Sequence, residues 1–276
     1  MITASVVLYN TPAGDVETVL KSFKPGLKRK LYFIDNSPAP SEELAFLKAL
    51  DQVESIFTGS NLGYGKANNI AIERAIAEEA EYHAVLNPDL RFEPEILDEL
   101  AAYADAHPDV MYMLPEVVNR EGEVQRLCKL LPTPADLIFR RFFPQKGIFR
   151  TNNDRYTLAG FGYDRIIDPP CLSGCFMFLR VDALREHDLR FDERFFMYCE
   201  DFDLIRRLHR IGKTVYYPAV SVVHTNSKAS YRNGRMLAAH IVSACKYFNK
   251  YGWFRDAERD RMNRKILEEL GAEEKA

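Results

Sequence analysis

The residues able to do chemistry gather in a few short clusters. Asn87-Pro88-Asp89 closes the apolar run Tyr82 to Leu86. A carboxylate at that place can hold a hard divalent cation and, through it, a diphosphate. The proline keeps Asn87 extended and aims both polar side chains outward. Taken alone, the triplet reads more readily as a turn. Tyr198-Cys199-Glu200-Asp201-Phe202-Asp203 places three carboxylates where a helix begins. Capping and the helix dipole account for one acidic residue there, and three in four positions exceed that need. Glu200 and Asp203 share a helix face, while Asp201 points elsewhere. A crevice carboxylate suits deprotonation of an alcohol nucleophile. His224 ends an apolar run and precedes Asn226, Ser227 and Lys228. A neutral imidazole at a strand end can complete a metal site with Asp89. The other five histidines, His83, His107, His187, His209 and His240, have no such context and read as structural.

Two further clusters are polar or glycine-rich. Asn61-Leu62-Gly63-Tyr64-Gly65-Lys66-Ala67-Asn68-Asn69 can bring backbone N–H groups, a helix N-terminus and the Lys66 charge to an anion. It is neither a Walker loop nor G-x-G-x-x-G, and a plain glycine-rich strand-to-helix turn explains it as well. Asp35-Asn36-Ser37 can read a nucleobase edge or ribose hydroxyls, or form an Asx turn.

These clusters sit at the ends of regularly spaced elements. Short apolar runs at Ile2–Tyr9, Lys30–Ile34, Val53–Phe57 and Tyr82–Leu86 alternate with helical patterns at Asp15–Phe23, Ser41–Leu50, Lys66–Ala80 and Leu97–Ala106. That rhythm predicts an α/β fold with a doubly wound, mostly parallel sheet flanked by helices, whose ligands bind beyond the carboxyl ends of the strands. The second half is less regular. It predicts a strand at Val110–Pro115, a hairpin around Arg120-Glu121-Gly122, and a basic, aromatic segment at Thr133–Phe143. Thr151–Pro170 reads as loop, Leu172–Val181 as strand and Asp201–Ile211 as helix. Strands follow at Thr214–Pro218 and Val220–His224, then a long helix at Met236–Tyr251 and a highly charged tail after Arg255. One globular domain with a helical C-terminal extension is the simplest division.

The 276 residues carry 37 basic and 40 acidic side chains, a net charge of −3. Such a balance lacks the broad positive field of a nucleic-acid binder. With 47% hydrophobic residues the chain is too apolar for whole-chain disorder. Cys128, Cys171, Cys175, Cys199 and Cys245 are too few and scattered for a disulfide framework, so reduced thiols are expected. No basic stretch precedes the first apolar run and no window spans a bilayer. A cytoplasmic protein is expected, either free or peripheral at the inner face of the plasma membrane.

Together the clusters resemble the family 2 glycosyltransferases of GT-A fold. The matching strings are Ser5–Asn10, Phe33–Ser37, Asn61–Asn69, Leu86–Asp89, Leu172–Met177 and Phe195–Asp203, closed by His224. The N-L-G-Y-G-x-x-N-N and N-P-D forms look most like the bacterial rhamnosyltransferases of surface polysaccharide synthesis. The resemblance implies a catalytic domain at 1–230 and an extension at 231–276. It implies a donor, a dTDP- or UDP-linked sugar, lined by Tyr9, Asp35, Asn61, Lys66, Asn69, Asn87 and Asp89. Asn87 replaces the first carboxylate of the family's D-x-D motif, leaving Asp89 and His224 for a divalent cation, Mg2+ or Mn2+. Asp201 is implied as the base with Glu200 orienting the acceptor, the reverse assignment remaining open. Ser173, Gly174 and Cys175 are implied as an acceptor-side wall for a saccharide or lipid-linked acceptor, and the mechanism as inverting.

Two rivals stand beside this reading. A nucleotidyltransferase needs a basic triphosphate loop near the first strand, and Asn10-Thr11-Pro12-Ala13-Gly14 has no Lys or Arg. A non-catalytic nucleotide-sugar-binding protein needs broken clusters, yet Glu200, Asp201 and His224 are present. Ile138-Phe139-Arg140-Arg141-Phe142-Phe143 suits either a membrane or lipid-linked partner, or packing on the domain with its arginines solvated. The Met236–Tyr251 helix suits either a homodimer contact or cover over the sheet.

Overall fold

The computed structural model describes residues 1–142, 146–225 and 234–273. Its first half follows the expected rhythm: β1 (Ile2–Leu8), α1 (Ala13–Phe23), β2 (Arg29–Asp35), a 3-10 segment (Glu42–Ala49), β3 (Val53–Phe57), α2 (Tyr64–Ala77), β4 (Tyr82–Leu86), β5 (Leu90–Arg91) and α3 (Ile96–Ala106). Then come β6 (Val110–Val118), α4 (Pro134–Phe142), α5 (Ile148–Tyr156), β7 (Phe176–Arg180), α6 (Val181–Glu186), α7 (Glu200–Leu208), β8 (Lys213–His224), α8 (Gly234–Tyr251) and α9 (Ala257–Glu273).

The strands form one sheet in the order β3-β2-β1-β4-β7-β6-β8-β5. β3, β2, β1 and β4 are parallel, as are β6 and β8, while β7 and β5 run against their neighbours. Alternate residues of β1, namely Ile2, Ala4, Val6 and Leu8, join Val16, Val19 and Phe23 of α1 in the main core. On the other face Tyr32 and Ile34 meet Ala67 and Ala71 of α2. Strands covered on both faces must be apolar almost throughout, which is why they read so clearly. The chain steps outward from β1 to β2 and β3, then α2 carries it back to β4. The switch point therefore lies between β1 and β4, and a crevice opens beyond their carboxyl ends.

The face of β1 and β4 beneath α2 also holds a buried polar chain. Thr3 Oγ1 lies 2.8 Å from His83 Nδ1, and His83 Nε2 lies 3.1 Å from Ser5 Oγ. Ser5 donates to Asn68 Oδ1 at 2.7 Å, and Asn68 Nδ2 donates to the Tyr64 carbonyl at 3.1 Å. Burial pushes His83 down to about 3, so the ring stays neutral. Satisfied polar groups in low dielectric fix one arrangement, here seating the first turn of α2 on the sheet.

Several expectations need correction. Thr151–Pro170 is not all loop: α5 runs to Tyr156 and a 3-10 turn follows at Ala159–Phe161. Its polar surface hides the signal, while Tyr156, Leu158, Phe161 and Tyr163 are buried beneath it. The strand expected over Leu172–Val181 begins only at Phe176. The two expected C-terminal strands are one, β8, because an irregularity in its pairing with β6 absorbs Pro218, Ala219 and Val220. The charged tail is helical: Met262 and Ile266 of α9, one turn apart, are buried.

α8 and α9 are bound to α7 by a charged network. Arg206 of α7 is almost wholly buried and pairs with both oxygens of Asp256, at 2.6 and 2.5 Å, and with Glu258 at 2.7 Å. Its guanidinium lies 4.0 Å from the Tyr251 ring centroid. Asp203, one turn earlier, accepts from Arg207 at 2.8 Å, from Tyr251 at 2.7 Å and from Lys250. Removing Asp256 leaves the buried Arg206 with Glu258 alone and without its bidentate partner. Asp256→Ala is expected to cost about 3 kcal/mol or more in urea unfolding. A loss under about 1 kcal/mol, the size of a surface pair, would show that the network does not hold these helices.

Candidate active site

Glu200 and Asp201 open α7, and the approach to them is strained. Tyr198 and Cys199 have φ of 68° and 63°, the left-handed region that non-glycine residues rarely occupy. Such strain persists only where the surroundings enforce it. Here α2 does so. The Tyr64 N–H donates to the Phe196 carbonyl at 2.9 Å. A Cβ on Gly63 (φ 86°) would stand 2.2 Å from that carbonyl oxygen, and one on Gly65 would stand 2.8 Å from Phe191 Cβ. Both glycines therefore admit the chain's own 191–196 segment.

Asp201 is held from two sides. Its Oδ1 accepts from the Phe202 N–H at 2.9 Å and its Oδ2 from the Gly174 N–H at 3.3 Å. A Cβ on Gly174 would meet Asp201 Cβ at 2.9 Å, so no larger residue fits there without displacement. Glu200 Oε2 is buried without a hydrogen-bond partner. Burial, and the neighbouring Asp201 charge, push the Glu200 carboxyl well above the usual range. Burial also raises Asp201, opposed by Lys129 and by the Phe202 and Gly174 N–H groups. Two adjacent buried carboxyls do not both ionise readily. Asp201, with two donors and a lysine, is the better-supported anion, and Glu200 keeps the proton.

A cavity of about 310 Å³ opens over this pair, walled by Lys129, Arg140, Tyr156, Ser173, His224 and His240 among others. Ser173 lines this cavity, and Gly174 borders Asp201 through its N–H. Cys175 does not line the cavity: its side chain is buried in the main core and its carbonyl accepts the Asn87 N–H at 2.9 Å. Lys129 escaped the sequence reading, and His240 was read there as structural. Lys129 had a signal, a lone cation within Leu127-Cys128-Lys129-Leu130-Leu131; His240 had none.

Asn87, Asp89 and His224 do come together, although far apart in sequence. Pairing of Leu90 with His224 sets Asp89 beside the histidine. Nε2 of His224 lies 3.2 Å from Asp89 Oδ1 and 3.4 Å from Asn87 Nδ2, while its buried Nδ1 has no partner. Tyr64, also overlooked, bridges this cluster to the acid pair: its hydroxyl donates within reach of Asn87 Oδ1 (3.0 Å) and the Gly174 carbonyl (3.1 Å). Among the described residues no group of three His, Cys, Asp or Glu side chains is placed to hold a metal ion.

The remaining expected residues divide. Asp35 ends β2 with Oδ1 accepting the Ser37 N–H at 2.9 Å, an Asx turn. Asn61 Oδ1 accepts the Gly63 N–H at 3.0 Å, and Tyr9 is 52% exposed at the end of β1. One expectation needs correction. Asn69 is buried and exchanges both amide hydrogen bonds with the Phe191 backbone, at 2.9 Å each, so it braces the 191–196 segment. Lys66 pairs with Glu193 at 2.9 Å on the surface. Phe143, Asn226, Ser227 and Lys228, and the side chains of Phe139, Arg141 and Phe142, lie outside the described residues.

A mostly parallel sheet between helices, with carboxylates and a histidine beyond its strand ends, is the GT-A architecture of glycosyltransferases. The solved TarS fragment 1–349 from S. aureus, in complex with UDP-GlcNAc, superposes with a TM-score of 0.59 at 16% identity, covering 96% of this chain and 71% of that one. The family model for Glycosyl transferase family 2 matches residues 6–187, and the chain belongs to that family. The chain is 29% identical to N-acetylglucosaminyl-diphospho-decaprenol L-rhamnosyltransferase of Mycobacterium tuberculosis, over 91% of this chain and 85% of that one. It is 28% identical to rhamnosyltransferase WbbL of Escherichia coli K12, over 60% of this chain and 62% of that one.

The raised pKa of Glu200 carries a sign. In the folded state the proton is held to higher pH than in the unfolded chain, so stability falls as pH rises through the folded value. Glu200→Gln removes that loss. The variant is expected to be more stable than the parent at pH 8, with the gain shrinking toward pH 4 in urea titrations. A gain independent of pH, or greater at pH 4, would contradict the assignment.

Proposed function

We propose that this glycosyltransferase moves rhamnose, a hexosyl unit, from a nucleoside-diphosphate donor to a hydroxyl of a diphosphate-lipid-linked saccharide, with inversion. The observation that carries the reading is Asp201. It is anionic, fixed by two backbone N–H groups, and faces a cavity beside the Asn87–Asp89–His224 cluster. Both relatives, as rhamnosyltransferases, support the rhamnosyl donor, and the mycobacterial one, acting on a diphospho-decaprenol saccharide, supports the acceptor. A dTDP or UDP carrier would lie over Tyr9, Asp35 and Asn61 at the ends of β1 to β3.

Asp201 accepts the acceptor hydroxyl proton as that oxygen attacks the anomeric carbon from the side opposite the diphosphate. One carboxylate on the acceptor side suffices for direct displacement. Glu200, kept neutral, holds the acceptor by donating a hydrogen bond. Asn87, oriented by Tyr64, contacts the donor sugar or ribose. Lys66, engaged with Glu193, has no part in this account.

Asp89 and His224 fit a divalent cation that draws its other ligands from the donor: an oxygen and a nitrogen converge at 3.2 Å, with no third His, Cys, Asp or Glu beside them among the described residues. When bound, Mg2+ or Mn2+ would offset charge on the leaving diphosphate. The catalytic region is read as 1–230, with 231–276 as an extension tied to α7 through Arg206 and Asp203. Among the described residues no helix is long and apolar enough to cross a membrane. A peripheral cytoplasmic site of action accords with a lipid-linked acceptor.

Asp201→Asn is expected to lower transfer by about 10²–10⁴-fold while nucleotide-sugar affinity stays within twofold or so. Near-parental turnover would defeat the role of the base. His224→Ala, or removal of divalent ions by chelation, is expected to weaken donor binding measured by calorimetry. Donor binding indifferent to both would defeat the cation assignment.

A further inference from the structure

Beside the cavity runs a second, apolar hollow between α4 and α8. It measures about 150 Å³, and its walls include Ile138, Leu237, Ile241, Ala244, Phe248 and Trp253. Leu137 and His240 line both spaces, so the hollow continues the cavity that holds Asp201. The apolar character extends to the surface: Ile138 is 49% and Ile241 48% exposed, and Phe254, next to Trp253, is 90% exposed. Exposed apolar side chains are unremarkable singly, but gathered along one groove they mark a binding surface.

The order of chemistry along this path is that of an amphiphile. Glu200 and Asp201 occupy the polar end, Lys129 and Arg140 stand in the same cavity, and carbon lines the rest. The carboxyl pair suits a saccharide hydroxyl, the two cations a diphosphate, and the adjoining hollow a hydrocarbon chain. We propose that the groove between α4 and α8 seats the isoprenoid chain of the acceptor, with its diphosphate facing Lys129 and Arg140. This rests on the acceptor class proposed above. A flat membrane surface would have no use for a concave, carbon-lined trench that opens beside the base.

The test is a calorimetric titration with farnesyl diphosphate and, separately, inorganic diphosphate, without detergent. The parent protein is expected to bind the farnesyl compound at least about tenfold more tightly. Ile241→Asp makes the wall polar, and Ala244→Trp fills the groove while keeping it apolar. Both are expected to bring farnesyl diphosphate to the affinity of inorganic diphosphate. Equal affinities in the parent would overturn the proposal. So would an Ala244→Trp protein that keeps the preference, which would indicate adhesion to an apolar surface. Nucleotide-sugar binding, followed on the same samples, is expected to be unchanged in both variants. A parent that binds no nucleotide sugar would defeat the reading of function, while the farnesyl comparison would still decide the groove.

Discussion

Two carboxyl groups lie side by side in the first turn of α7, Glu200 buried and Asp201 half-buried against the cavity. Desolvation disfavours each charge and their proximity disfavours having both. What makes the arrangement tenable is unequal support. Asp201 receives two backbone N–H groups, the positive end of a helix and the field of Lys129; Glu200 Oε2 receives no hydrogen bond. One anion and one acid result, and the division of chemical roles follows from that asymmetry.

Much of the surrounding structure holds this turn in place. Gly63 and Gly65 let α2 press on the segment that leads into it, and Asn69 fastens Phe191 from the same helix. Gly174 brings the loop before β7 against Asp201. On the far side, Asp203 and Arg206 tie α7 to α8 and α9, and Ser243 of α8 donates to the Met197 carbonyl at 2.7 Å. The C-terminal helices therefore support the turn as well as walling the hollow beside it. A helix whose first turn carries costly charges is anchored at its middle and end.

The first half of the fold was legible because strands covered on both faces must be apolar and must end in polar turns. Leu8, Asp35 and Leu86 mark such ends in sequence as in structure. Period and composition failed where polarity came from ion pairs. The charged stretch after Arg255 hides α9, whose only buried apolar contacts are a few residues such as Met262 and Ile266. The site was legible in residue type, since Asp89, Glu200, Asp201 and His224 stood out at element ends. Its partners were less so. The contacts of Tyr64 with Asn87 and Gly174 span 23 and 110 positions, and nothing local to Tyr64 announces them. Asn69 misled for the opposite reason: a polar residue beside a glycine-rich turn suits an anion, but it equally suits a backbone.

The central claim is that one anionic carboxylate, Asp201, removes a proton while the acceptor oxygen displaces the diphosphate directly. The most direct test is the anomeric configuration of the product, read from one-bond carbon–proton couplings by NMR after transfer from a donor of known configuration. The account predicts inversion at the anomeric carbon. Retention would require a covalent intermediate or attack from the same face, and would contradict it.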